Sequence, residues 1–272
     1  TKHIVKSMTD KRIKFIQNEK NLRLVGTLNK GLALINTEYI VRMDGDDISH
    51  PERIRKLVDY MEAHPETDIC GSNIRCFGNT NELWTYYETA EYIKPSLLYR
   101  SAVGHASVIF RMNLFKDNSN RYSERYIYME DRDLWTRLLR SAKFHSLQEE
   151  LYQYRITGEN STLLNRNTRW ERTMNFYRDF FNHLEIGVSE NVLRFHCGMG
   201  LITKIDAALV KEYFSWLNMI SSENRARNIF NPTALDFHLQ VLKIKVGNAI
   251  SRVGNFGSVL AYNRLMERPG FG

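Results

Sequence analysis

The chain has 272 residues and 43% hydrophobic residues, enough for one large α/β domain with an appended region or for two smaller domains. Its three cysteines show no Cys-x-x-Cys spacing, which argues against a disulfide framework and a structural zinc site. The net charge of +7 suits an anionic partner, but basic and aromatic residues do not interleave as in base-stacking proteins, so we expect no nucleic-acid partner.

The hydropathy of the chain and its first residues indicate the cellular compartment of the protein. No apolar run approaches the ~20 residues of a membrane span, and no signal peptide opens the sequence. Together with the unpaired cysteines, these features predict a reducing compartment, which we take to be the cytoplasm. The chain begins at Thr1 and not at a methionine, so we also expect it to be a fragment.

The first third of the chain predicts a strand, a helix and a second strand. Residues 12–16 alternate weakly as in a strand, and residues 28–36 carry apolar side chains at helical spacing, with Thr27 as the N-cap. An apolar run at 38–43 then predicts a buried strand. This order is typical of a βαβ unit, which predicts a mixed, mainly parallel sheet with helices on its faces.

A cluster of carboxylates follows this strand directly, in the sequence Asp44-Gly45-Asp46-Asp47. Three like charges in four residues repel one another, and a divalent cation held by two of these carboxylates would relieve the repulsion. An acidic turn that caps the next helix is the simpler alternative, but it accounts for Asp47 alone. A calcium loop of the EF-hand type fails, because the twelfth position is Arg55 and not a glutamate.

The next elements are a helix and a strand. Ser49 and Glu52 have the form of a capping box, so we predict a helix that starts there and ends at His64. Its apolar face comprises Ile54, Leu57, Val58 and Met61. A strand is predicted from residue 68 towards Phe77, followed by a polar and aromatic loop at 78–95. Long loops over strand ends often bind substrates.

A second acidic cluster follows a predicted strand at 107–111. Residues 129–139 form a helical pattern whose first turn contains Glu130 and Asp131, and residues 151–155 read as a short edge strand. Carboxylates at a helix start are stabilised by about 0.3–1 kcal/mol without any function. A carboxylate facing a metal-bound diphosphate would instead act as a general base in a single displacement, which inverts the reacting centre.

Beyond residue 160 the pattern changes to helices, predicted at 167–185, 190–197, 204–220 and 233–253. We therefore predict a domain of residues 1–160 and a helical region of residues 161–272. The last helix carries apolar residues among lysines and an arginine. It would either rest on an anionic membrane surface or pack against its own domain, and the second alternative is the simpler one.

Four segments in the same order resemble family 2 glycosyltransferases, bacterial enzymes of the GT-A fold. The run from Glu38 to Ser49, with Pro51-Glu52-Arg53 after it, resembles the family's Asp-x-Asp segment. The stretch from Asn18 to Leu32 resembles the segment that lines the donor pocket. On the acceptor side, His105–Arg111 and Glu130–Trp135 resemble two further motifs. The resemblance covers about residues 10–160.

The resemblance implies an inverting transfer of sugar from a nucleotide-sugar, usually a UDP-sugar, with Mn²⁺ or Mg²⁺. It implies donor binding by Asn29, Asp44 and Asp46, with the metal held by Asp44 and Asp46. Asp131 would be the catalytic base, beside Glu130. His105 and Trp135 would lie on the acceptor side, although each also suits a half-buried or core position. The acceptor would be a glycan or a lipid-linked precursor of a bacterial surface polysaccharide, at the cytoplasmic face of the inner membrane.

Two departures from the family pattern stand out. The opening strand and its Asp-Asp-Gly-Ser turn are absent, so we expect the domain to be N-terminally incomplete. The family's closing Tyr-Arg-x-His is replaced by a sequence that ends in Thr157, which is a poor metal ligand. Two alternatives therefore stay open, a catalytically inactive remnant or interaction module and, less favoured, a metal-dependent phosphotransferase.

Overall fold

The computed structural model describes residues 2–157, 166–199, 206–253 and 262. The described chain consists of a six-stranded sheet with helices around it, followed by four further helices. The strands are β1 Tyr39–Val41, β2 Ile48–Ser49, β3 Ile69–Gly78, β4 Leu83–Trp84, β5 Ile109–Arg111 and β6 Phe144–Ile156. The helices are α1 Lys2–Ser7, α2 Arg23–Leu34, α3 Arg53–Ala63, α4 Ala90–Ser96, α5 Glu130–Leu138, α6 Arg166–His183, α7 Glu190–Gly198, α8 Ala207–Arg227 and α9 Pro232–Val253.

The sheet is mixed, as predicted, with the strand order β1-β5-β3-β6-β2 and with β4 paired to β3. The expectation that most pairings are parallel is wrong for the described residues, because β3–β6 alone is parallel. β5 runs antiparallel between β1 and β3, so these two strands point the same way without touching. The local βαβ pattern could not show a strand inserted from much later in the chain.

Several local predictions are confirmed and others are wrong. The strand after residue 68, the helix at Glu130 and the four C-terminal helices form as predicted. No strand forms at residues 12–16, and α2 begins at Arg23, so Thr27 is not its N-cap. β6 lies between β3 and β2 and is not an edge strand. The segment 78–95 contains β4 and most of α4, and is not one continuous loop.

The capping box predicted at Ser49 and Glu52 does not form. α3 begins at Arg53, and its N-cap residue Glu52 makes no side-chain capping bond because its carboxylate pairs with Arg55. Leu57 and Met61 of the predicted apolar face are fully buried, whereas Ile54 is 57% exposed. The helix thus packs through a narrower apolar stripe than the sequence suggested.

The C-terminal helices share a hydrophobic core with the sheet. One cluster of buried residues runs from Phe110, Trp135 and Phe144 to Phe181 and Leu217. The predicted boundary at residue 160 lies outside the described residues and stays a prediction.

The last described long helix packs against its own domain. Three apolar residues of α9, Leu242, Val246 and Ile250, are buried, while Ile244 is 53% exposed. This burial agrees with the simpler of the two interpretations of α9, and contact with a membrane surface stays a prediction. No helix in the described part of the chain is long and apolar enough to cross a membrane.

Candidate active site

The turn that follows β1 is held by two residues of β6. The backbone N–H of Asp44 donates to the Tyr152 hydroxyl at 3.0 Å, and this hydroxyl donates to one carboxylate oxygen of Asp47 at 2.7 Å. The backbone N–H of Arg155 donates to the other oxygen of Asp47 at 2.8 Å. Asp47 is 8% exposed, and burial raises its pKa, with smaller contributions from the neighbouring carboxylates. Both oxygens of Asp47 therefore fix the shape of the turn.

The other two carboxylates of the turn have different surroundings. Both oxygens of Asp44 accept hydrogen bonds from the Arg42 guanidinium, at 2.6 and 2.7 Å, and the Arg42 side chain is 9% exposed. Asp46 is exposed, and its backbone carbonyl accepts a hydrogen bond from Arg155 Nε at 2.8 Å. The Asp46 carboxylate thus lies at the surface, whereas the carboxylates of Asp44 and Asp47 accept hydrogen bonds from neighbouring residues.

A buried arginine supports the turn from below. Arg53 is 1% exposed, donates to the backbone carbonyls of Arg42 and Ala106, and lies over the Tyr152 ring at 4.6 Å from its centre. Burial lowers the pKa of Arg53 to about 10, so the guanidinium remains charged near neutral pH. Its positive charge reduces the repulsion among the carboxylates of the turn.

The second acidic cluster lies in the first turn of α5. Ser101 donates from Oγ to Asp131 Oδ2 at 2.7 Å, and the indole N–H of Trp135 donates to the same Oγ at 3.1 Å. Glu130 is 7% exposed, and burial raises its pKa, as does the Asp131 carboxylate. Trp135 is fully buried and stacks on Phe110, so it belongs to the core and reaches the site through Ser101.

Asn29 and His105 occupy the region next to this cluster. The Asn29 side-chain amide exchanges two hydrogen bonds with the backbone of Tyr122, at 2.8 and 3.0 Å, and therefore holds that segment in place. The Tyr122 hydroxyl bonds to His105 Nε2 at 2.7 Å, and the His105 ring meets Trp135 edge-on. Burial, followed by the charge of Arg42, lowers the pKa of His105 well below its ordinary value, so the ring is neutral.

Arg42 acts on residues of both acidic clusters. It pairs with Asp44 on one side, and its charge acts on His105 and Glu130 on the other. The Arg42 charge is therefore close enough to the start of α5 to affect the ionisation of Glu130. Sequence patterns alone did not mark Arg42, Ser101 or Tyr152 as site residues. Arg42 lies inside the acidic motif and could have been found there, whereas the other two carry no local signal.

The described residues contain no group of three or more His, Cys, Asp or Glu side chains arranged to hold a metal ion. Mg²⁺ and similar cations are nevertheless often held by one or two carboxylates, with phosphate oxygens and water as the other ligands. The exposed carboxylate of Asp46 fits that kind of site. Asp44 fits as a second ligand where Arg42 releases one of its oxygens. The predicted site residues are therefore compatible with Mn²⁺ or Mg²⁺ bound together with a phosphorylated ligand.

The sheet is mixed, an acidic turn follows β1, and the first turn of α5 is rich in carboxylates. These features define a GT-A-like α/β protein with a C-terminal helical region. Residues 1–151, more than half of the chain, match the family described as Glycosyl transferase family 2. The chain belongs to this family.

Curated relatives agree with this assignment. The chain is 26% identical over 200 residues to an uncharacterized glycosyltransferase of Haemophilus influenzae, which covers 69% of this chain and 62% of the relative. It is 32% identical over 152 residues to the putative glycosyltransferase EpsE of Bacillus subtilis, and this match covers 53% of this chain and 52% of EpsE. It is 34% identical over 123 residues to the amylovoran biosynthesis glycosyltransferase AmsE of Erwinia amylovora, and this match covers 44% of this chain and 46% of AmsE. The chain thus spans about half to three-fifths of the length of these relatives.

Among solved structures, the chain resembles S. aureus TarS 1-349 in complex with UDP-GlcNAc, with a TM-score of 0.48 and 15% identity. This match covers 88% of this chain and 69% of the other.

Proposed function

We propose that this chain forms the catalytic part of an inverting glycosyltransferase, which moves a sugar from a nucleotide-sugar, a UDP-sugar by family resemblance, to a hydroxyl of a glycan or lipid-linked acceptor. The observation that carries the proposal is the placement of two acidic clusters around Arg42. One cluster offers Asp46 for a metal-bound diphosphate, and the other offers Asp131 as a base. The match of residues 1–151 to family 2 supports the same reaction.

The proposed roles follow from the hydrogen bonds at each carboxylate. Asp46, with Asp44 where Arg42 yields an oxygen, would hold Mn²⁺ or Mg²⁺, which stabilises the charge of a departing diphosphate. Ser101 holds Asp131 through Oδ2, so Oδ1 would accept the proton of the acceptor hydroxyl. The acceptor oxygen then bonds to the anomeric carbon as the bond to the diphosphate breaks. Because the nucleophile and the leaving group are on opposite faces, the anomeric configuration inverts.

Asn29 and His105 would act by positioning. Asn29 fixes the segment around Tyr122, and Tyr122 in turn holds the neutral His105 next to the start of α5. In this proposal both residues shape the space where the donor and the acceptor meet, and Trp135 orients Ser101 from the core.

Names of relatives support a role in surface polysaccharide synthesis. AmsE is named for amylovoran biosynthesis, and an Escherichia coli relative, WbnJ, which is 27% identical over 157 residues, is named for O-antigen biosynthesis. We propose a corresponding acceptor class for this protein, and a location at the cytoplasmic face of the inner membrane. The described cysteines are all free, which suits a reducing compartment.

Calorimetric titration of the full-length protein with UDP, in MnCl₂ and in EDTA, tests this function. We expect affinity that depends on Mn²⁺ and that falls by at least about tenfold in Asp46→Asn, because the metal loses its exposed carboxylate. Asp59→Asn is the matched control, since this exposed aspartate lies on the outer side of α3. Absence of UDP binding would favour a remnant or interaction module. Turnover of UTP but not of UDP-sugars would favour a phosphotransferase.

A further inference from the structure

A cleft of about 460 Å³ opens beside the start of α5. Its size falls within the range of about 300–1,000 Å³ that is common for small-molecule sites. It is lined by Leu83, Trp84, Thr85, Tyr86, Arg100, Ser101 and Arg132. Two of these side chains are arginines and none is a carboxylate, so the lining is positively charged. Ser101 is also the residue that holds Asp131, which places the cleft one hydrogen bond away from the proposed base.

The two arginines are oriented but retain donors. Arg100 donates to the backbone carbonyl of Thr85 at 2.5 Å and lies over the Tyr86 ring at 5.0 Å from its centre. Arg132 donates to the Tyr177 hydroxyl at 3.2 Å. Across the described residues, neither guanidinium forms an ion pair with a carboxylate, whereas Arg42 and Arg137 each do. A guanidinium has five N–H donors, so each arginine can also bind an anionic oxygen.

The aromatic side of the cleft is fixed as well. Trp84 packs on Tyr154, with ring centres 5.3 Å apart, and its indole N–H donates to Glu82 at 3.2 Å. Trp84 and Tyr86 are both half-buried, so each ring keeps part of its surface towards the cleft. Rigid aromatic rings next to charged donors suit a ligand with a flat apolar face and an acidic substituent.

We propose that this cleft is the acceptor subsite and that the acceptor sugar carries an anionic group, a carboxylate or a phosphate, which Arg100 and Arg132 bind. The acceptor ring lies against Trp84 and Tyr86, and its reacting hydroxyl points to Asp131. This inference rests on the proposed function, and it adds the charge of the acceptor, which the family alone does not define.

Binding of simple sugars to the full-length protein, without nucleotide or metal, tests the inference. The probes are methyl glucuronide as the carboxylate, glucose 1-phosphate as the phosphate and methyl glucoside as the neutral sugar. We expect at least one anionic probe to bind about tenfold or more tightly than the neutral one, since charge-assisted hydrogen bonds are roughly twice as strong as neutral ones. The tighter of the two anionic probes identifies the acidic group.

Arg100→Gln and Arg132→Gln are expected to reduce the affinity for the anionic probe towards that for methyl glucoside. Arg140→Gln is the matched control, because Arg140 is exposed just after α5 and does not line the cleft. Equal binding of all three probes by the wild-type protein overturns the inference, as does an equal loss in Arg140→Gln. The wild-type comparison needs no variant, so it decides the matter even where a substitution impairs folding.

The two proposals fail in different ways. Discrimination among the sugars without any binding of UDP leaves an anionic-sugar site in the cleft and removes the proposed transferase function. Binding of UDP that depends on Asp46, together with equal binding of the three sugars, retains the transferase function and removes the anionic acceptor.

Discussion

Arg42 and Asp44 form an ion pair through two parallel hydrogen bonds, of 2.7 and 2.6 Å, at the point where the chain leaves β1. The guanidinium is nearly buried, and its charge also reaches His105 and Glu130. The pair therefore orients the turn that carries Asp46, and the Arg42 charge acts on Glu130 at the start of α5. A planar guanidinium is needed for this geometry, because a lysine cannot make two parallel bonds to one carboxylate.

Arg42→Lys tests the structural part of this relationship. The substitution keeps the charge but loses the two-pronged bond, so we expect the free energy of unfolding to fall by about 1–3 kcal/mol. Arg55→Lys is the control, because Arg55 makes its ion pairs at the surface and should leave stability nearly unchanged. Urea denaturation of the two variants measures the difference. Equal stability of the two variants would show that the pair does not hold the turn.

Two buried histidines predict a pH dependence of stability. His196 Nε2 faces the Leu98 carbonyl and His238 Nε2 faces the Tyr92 carbonyl, while a tyrosine hydroxyl bonds each Nδ1. In each ring, Nε2 donates to the carbonyl, and in the neutral form Nδ1 accepts from the tyrosine hydroxyl. Burial lowers the pKa of each histidine to about 4.

The direction of the effect follows from proton binding. Between about pH 6.5 and pH 4 the unfolded chain protonates these histidines and the folded chain does not, so acid favours unfolding. We expect the free energy of unfolding to decrease as pH falls through this window, by up to about 1.4 kcal/mol per pH unit for each histidine. Urea denaturation at several pH values should show a shallower dependence in His238→Gln than in the wild type. His3→Gln, on the exposed α1, is the control, and an unchanged slope in His238→Gln would contradict the account.

Ser101→Ala tests the positioning of the base. Loss of the hydroxyl frees Asp131 Oδ2 and leaves the Trp135 indole without its acceptor. We expect kcat to fall by roughly 10–100-fold with little change in the KM of the donor, because misplacement of a reacting group mainly affects the chemical step. Ser221→Ala removes a similar Ser–Asp contact on α8, far along the chain, and should retain wild-type kinetics. A change confined to KM would indicate a role in donor binding instead.

Local patterns predicted some of these features and missed others for physical reasons. Each acidic cluster, Asp44–Asp47 and the start of α5, is a short contiguous stretch of sequence. The periodicity of the neighbouring strand and helix patterns therefore placed each cluster at the end of an element. Their partners come from elsewhere: Ser101 lies 30 residues from Asp131, and Tyr152 lies 105 residues from Asp47. No residue spacing encodes such pairs. The same limit explains the sheet, because the insertion of β5 between β1 and β3 depends on tertiary pairing.

We propose that Asp131 is the base opposite a donor held at Asp46. Sugar transfer by Asp131→Asn, measured with a donor that the wild-type protein accepts, tests it most directly. Asparagine keeps the shape and cannot take a proton, so we predict a rate about 10²–10⁴-fold below wild type. Donor affinity should stay within about twofold, since Asp131 acts only in the chemical step. Asp236→Asn, at an exposed position on α9, is the control. A rate for Asp131→Asn equal to that of Asp236→Asn would contradict the account.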